Sequence, residues 1–120
     1  MIGRLRLVSQ QLAGDGATSV PGLVRWMTAM QAQDLPAALW AVGVRVPGAG
    51  LSDVRAAIDS GTVVRSWPMR GTLHLVAPED LRWMLDLTAE RLTRSIAAVV
   101  TAIRISSSDT RGRPGRAVDD

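Results

Sequence analysis

The chain has 120 residues with no Cys and a single His, which excludes a disulfide framework and any thiolate or multi-histidine metal site. All fourteen basic residues are Arg and the net charge is only +3; with no Lys, Tyr or Cys to titrate, the pI of 11.2 overstates how basic the protein is. A hydrophobic fraction of 47% suits one domain, and with four Trp as the only aromatic residues its interior is left to Leu, Val, Ile, Met and Ala.

Arg without Lys is explained best by GC-rich coding, ahead of selection for phosphate forks. No apolar run approaches the ~20 residues of a membrane span. The apolar start at Ile2 is broken by Ser9, Gln10 and Gln11, too soon for a signal peptide. The expected setting is the bacterial cytoplasm.

In chain order, Leu5, Val8 and Leu12 have helical spacing between Gly3 and Leu12, and Gly14 and Gly16 stop that helix. Ser19 is a plausible N-cap for a second helix with Val20, Leu23, Val24, Met27 and Met30 on one stripe. Those Met residues read as core filling. Trp26 lies off the stripe and has no evident place. A third helix starts near Pro36 behind Asp34 and fades at Gly43; its Trp40, like Trp83 later, is expected in the core. After the loop Pro47–Gly50, Ser52 caps a short fourth helix through Val54, Ala57 and Ile58, ended by Gly61.

Val64 to Val76 reads as a β-hairpin. With a turn centred on Met69 and Arg70, Trp67 faces Thr72, Ser66 faces Leu73, Arg65 faces His74 and Val64 faces Leu75. Side-chain alternation then puts Val64, Leu73 and Leu75 on a dry face, and Arg65, Trp67, Thr72 and His74 on a polar one. Trp67 suits stacking on a base. Arg70 is at the tip, where it reaches a groove, or else stays in solvent or pairs with a local carboxylate. His74 contacts phosphate or base, or, as favoured, fixes the hairpin to the preceding glutamine loop.

Pro78, Glu79 and Asp80 open a long helix, since acids suit the positive end of its dipole. Leu81, Leu85, Leu92, Ile96, Val99 and Ile103 form its stripe, beside a solvated ladder of Arg82, Asp86, Glu90 and Arg94. The Glu90–Arg94 step is attractive, worth about 0.3 kcal/mol, and the Asp86–Glu90 step is repulsive. From Ile105 the periodicity stops in Ser, Gly, Pro and Arg. The expected organisation is a domain over 1–94, a continuing helix over 95–104 and a disordered tail over 105–120.

The last three of these four helices, the hairpin and the closing helix make a mainly α (α+β) fold, a winged helix-turn-helix with a β-hairpin wing and a long C-terminal helix. In that fold the helix before the wing usually enters the major groove. Here it offers Arg55 between Asp53 and Asp59, and two acids repel phosphate. Sequence-specific binding is therefore not expected.

Gln31-Ala32-Gln33-Asp34 precedes Pro36, which biases Leu35 out of the α region, so the second helix should end near Ala32. Extended backbone there lets the two amides converge. Such amides more often cap or bind backbone than catalyse. Asp34 is the one carboxylate beside them, and capping the next helix is its favoured role.

Gln31-Ala32-Gln33-Asp34, Ala38-Leu39-Trp40-Ala41, the segment Ser66 to His74, and Asp80-Leu81-Arg82-Trp83 together resemble the AlkZ/YcaQ family of bacterial winged-helix DNA glycosylases, over about Arg4 to Leu92. The resemblance implies a DNA-repair hydrolase acting on N-glycosyl bonds, which excises alkylated bases and unhooks crosslinks. Gln31 and Gln33 match its Gln-x-Gln catalytic motif, in which the amides hold the attacking water. It implies no metal and no cofactor, and double-stranded DNA, alkylated or crosslinked, as partner; DNA contacts fall to Arg65, Trp67, Arg70, His74 and Arg55. Family members are longer, with more winged-helix units and a β-barrel, and beyond about Arg94 this sequence departs from them. A non-catalytic DNA-binding winged helix, or an inactive remnant that oligomerises, therefore remain as alternatives, and the oligomeric state is open.

Overall fold

The computed structural model describes residues 1–69 and 71–109, with side chains described outside 103–109. The elements are α1 (Ile2–Ser9), α2 (Val20–Met27), β1 (Ala29–Gln31), α3 (Leu35–Gly43), α4 (Leu51–Asp59), β2 (Val64–Met69), β3 (Thr72–Val76) and α5 (Pro78–Asp109). The strands form one antiparallel sheet in the order β1-β3-β2. The succession α2-β1-α3-α4-β2-β3 is a winged-helix-like, mainly α arrangement.

Capping chemistry sets several boundaries. Ser19 caps α2, its hydroxyl accepting from the Gly22 amide at 3.1 Å. Asp34 caps α3 through a 3.2 Å bond from the Ala37 amide to Oδ1. α4 starts two residues earlier than its Ser52 suggests. Gly50 is its N-cap, and Asp53 Oδ2 accepts the Gly50 amide at 2.7 Å.

α2 also differs from the reading of its stripe. It ends at Met27, and Thr28 turns the chain with φ +67, a conformation costly for a β-branched residue. Met30 then continues the apolar pattern on β1 rather than on the helix. It remains buried beside Leu23, Val24, Leu39, Val42, Val54 and Leu75. The core is wholly apolar among the described residues. Trp40 and Trp83 are not in it. They are 72% and 45% exposed, and the Trp83 indole donates to Asp80 Oδ1 at 2.9 Å. Both share their helix turns with small or polar neighbours, and Ala38, Leu39 and Met84 fill the interior instead. Trp26, also exposed, donates its indole N–H to the Ser9 carbonyl at 2.7 Å, tying α1 to α2.

The hairpin register is displaced by one residue from that expected. Val64 faces Val76, Arg65 faces Leu75 and Ser66 faces His74. The ladder is interrupted between Ser66 and Met69, and Met69 faces Thr72. β2 therefore carries one extra residue around Trp67 and Pro68. Proline has no N–H to donate to a ladder and belongs at such a bulge. Gly71, with φ +67, supplies the left-handed conformation at the turn. The faces consequently exchange: Arg65 shares a cross-strand pair with the fully buried Leu75, and His74 stands on the side of Ser66 and Gln31.

The chain divides into two compact units, Met1–Thr88 and Ala89–Asp120. All the winged-helix elements fall in the first, with the opening turns of α5. There Arg25 of α2 pairs with Glu79, and the guanidinium holds the Glu79 carboxyl below its ordinary value. In the second unit α5 continues through Asp109, and Arg94 lies 3.2 Å from Glu90, the attractive ladder step expected. Of the expected tail, residues 110–120 lie outside the described residues.

Candidate functional site

The glutamine pair sits where the sheet hands over to α3. Gln31 is the last residue of β1, opposite His74 of the central strand. The Ala32 amide extends the ladder by donating to the Leu73 carbonyl at 2.8 Å. At Asp34 the backbone is still extended, and the Asp34 cap and Pro36 start α3 immediately after. Gln31 thus lies on a strand and Gln33 in the bend before α3, and neither is on helical backbone. Gln31, Gln33 and Asp34 line a single cavity of about 420 Å³ with Ala37, Ala38 and Ala41 of α3.

The two amides are not equivalent. Gln33 Oε1 accepts the backbone N–H of Leu73 at 3.1 Å. A backbone N–H only donates, so the facing atom is oxygen and the Gln33 NH₂ remains as donor. Gln31 makes no side-chain hydrogen bond among the described residues, and both its carbonyl and its NH₂ are available. Asp34 Oδ1 is engaged as the helix cap.

Arg65 lies behind this loop, on a strand that is not a neighbour of β1. Its side chain reaches to the far side of β3, donating from Nε and Nη2 to the Ala32 carbonyl at 3.0 and 2.8 Å, and from Nη2 to the Gln33 carbonyl at 3.1 Å. The hairpin is therefore fastened to the glutamine loop by Arg65 and not by His74. His74 Nδ1 instead lies 2.9 Å from the Thr72 carbonyl, which only accepts, so Nδ1 carries a proton.

Trp67 is 56% exposed on the bulged part of β2. Arg70 lies outside the described residues. Arg55 is exposed on α4 and lines a second cavity, of about 530 Å³, with Trp40, Val44 and Leu51. Residues of α3 line both cavities, but Arg55 and the glutamines line different ones. Among the described residues no cluster of three acidic or histidine side chains is placed to hold a metal ion. No helix among them is long and apolar enough to cross a membrane.

A family model described as DNA glycosylase AlkZ-like matches residues 24–118, well over half of the chain. The match opens inside α2 and passes Leu92, so the family pattern starts later and runs further than the motifs alone indicate. No curated protein and no solved structure matches.

Proposed function

The chain belongs to the AlkZ-like DNA glycosylase family, and on that premise we propose that it hydrolyses the N-glycosidic bond of N7-alkylated purines in duplex DNA, crosslinked adducts included. Gln31 and Gln33 orient the attacking water. The observation that carries this reading is the shared cavity in which Gln31, Gln33 and Asp34 converge, with the Gln33 amide held in one orientation.

Amides do not titrate near neutral pH, so neither glutamine acts as a general base. They position the water and stabilise charge. That suffices where the leaving base is already cationic. The water oxygen bonds to the deoxyribose C1′, the C1′–N9 bond breaks, and its electron pair neutralises the purinium. The released proton passes to solvent. Holding water in line is a large effect on its own, since a misplacement of ~1 Å costs on the order of 100-fold. Unmodified guanine needs protonation first and is not a substrate.

Duplex DNA is contacted by Trp67, Arg70 and His74 of the hairpin and by Arg55, with Arg65 behind them. With a net charge of +3 and Asp53 and Asp59 around Arg55, binding is weak and without sequence preference. Incubation with duplex carrying N7-methylguanine, followed by a test for abasic sites, checks the proposal. Abasic sites should accumulate above the protein-free control, and uracil-containing and undamaged duplexes should stay intact. No excess over that control refutes a glycosylase activity of this chain.

A further inference from the structure

We propose that Arg65 is the positioning residue of the glutamine pair, acting through the backbone between Gln31 and Gln33 and not as a phosphate ligand. The proposal rests on the glutamine chemistry set out above, but its geometry does not. Three of the backbone groups from Ala32 to Gln33 are tied. The Ala32 amide is held by Leu73, and the Ala32 and Gln33 carbonyls are held by one guanidinium. Arg65 is half-buried, opposite the fully buried Leu75, so these carbonyls satisfy donors that would otherwise be desolvated without partners.

Arginine is required for this geometry. Two carbonyls on successive residues are met by a rigid fork with several donors, which a lysine ammonium on a flexible stem does not reproduce. The fork also fixes Gln33 at a second point. With its carbonyl on Nη2 and its side-chain oxygen on the Leu73 amide, Gln33 presents its NH₂ to the cavity in one orientation. Arg65 touches neither water nor DNA in this role.

Arg65→Lys keeps the charge and removes the fork, and so separates positioning from phosphate attraction. Single-turnover release from an N7-methylguanine duplex should fall about 100-fold. Duplex affinity and its salt dependence should be unchanged. Hydrogen exchange at the Leu73 amide should accelerate while the Leu75 amide stays protected. A variant that releases base at the parental rate, or loses affinity in step with rate while Leu73 stays protected, overturns the proposal. If the parent releases no base, the glycosylase reading fails separately and Leu73 exchange still decides the positioning role. If Arg65→Lys does not fold, the parent supplies the test. Its Arg65 Nε–H resonance should be protected from exchange in the free protein and unmoved by added duplex, whereas a phosphate ligand would be unprotected and shift.

Discussion

Gln33 and Leu73, 40 residues apart in sequence, are joined by a 3.1 Å hydrogen bond from the Leu73 amide to the glutamine side-chain oxygen. The bond makes Gln33 an extra rung of the sheet, where a side-chain oxygen accepts in place of the next backbone carbonyl of β1. Gln31 carries no such duty. One glutamine therefore belongs both to the fold and to the cavity, and the other to the cavity alone.

The two should separate on substitution. Gln33→Ala leaves the Leu73 amide without its acceptor and should cost about 1 kcal/mol of stability. Gln31→Ala removes an exposed side chain and should melt within about 0.5 kcal/mol of the parent. Both should slow base release without changing DNA affinity. Thermal melts with single-turnover rates provide the comparison. Equal melting of the two variants would mean that the Leu73 bond contributes nothing, and equal rates for the parent and both variants would end the catalytic assignment.

The hairpin's buried and exposed sides are tested by substitution. Leu75 is fully buried and Trp67 is more than half exposed. Leu75→Asp forces an unpaired charge into an apolar interior, at a cost of several kcal/mol against a total of ~5–15 kcal/mol. It should abolish cooperative unfolding, whereas Trp67→Ala should leave the melting curve close to the parent's. A folded Leu75→Asp protein would overturn the burial of Leu75 on the central strand.

Much of this arrangement is legible in the sequence, and the exceptions share a cause. Ser19 and Asp34 cap where their side chains allow, because the signals are local. Met30 misleads because a residue three beyond Met27 satisfies a helical stripe and a buried strand position equally well. The positive φ of Thr28, which separates the two, has no marker in a β-branched residue. The hairpin is recognisable, but one extra residue beside Pro68 exchanges the sides of Val64, Arg65 and Ser66 relative to β3. The bulge puts Arg65 on the side of Leu75, from which its guanidinium bonds the glutamine loop. Trp40 and Trp83 show the limit of composition, since scarce aromatic residues are not thereby core residues.

The Arg25–Glu79 pair makes a pH prediction. The Arg25 guanidinium lowers the Glu79 carboxyl pKa first by hydrogen bonding, with the backbone at the start of α5 adding to it. A carboxylate lowered in the folded state contributes stability above its unfolded pKa and loses it as pH falls through the folded value. Both groups are about half exposed, so the effect is small. Arg25→Ala should raise the Glu79 midpoint in a carbon-detected NMR titration, short of the ordinary value because the backbone bond persists. Its melting-temperature deficit at neutral pH should narrow under acid. A Glu79 midpoint that does not move with the variant would dissolve the pair.

Binding to undamaged duplex should report the same modest charge seen in the composition. Phosphate contacts release counterions, so affinity should fall with salt at a log–log slope of about −0.9 per contact, and a net charge of +3 leaves few contacts. Arg55→Ala should reduce that slope by about one contact. Trp67→Ala should weaken binding without altering the slope, because stacking releases no counterion. Arg65→Lys should change neither, since its guanidinium is engaged with the Ala32 and Gln33 carbonyls. Titrations of labelled duplex at two or more salt concentrations distinguish the three variants. A strong preference for one sequence, or a slope that Arg55→Ala leaves intact, would move DNA recognition away from α4 and from non-specific phosphate contact.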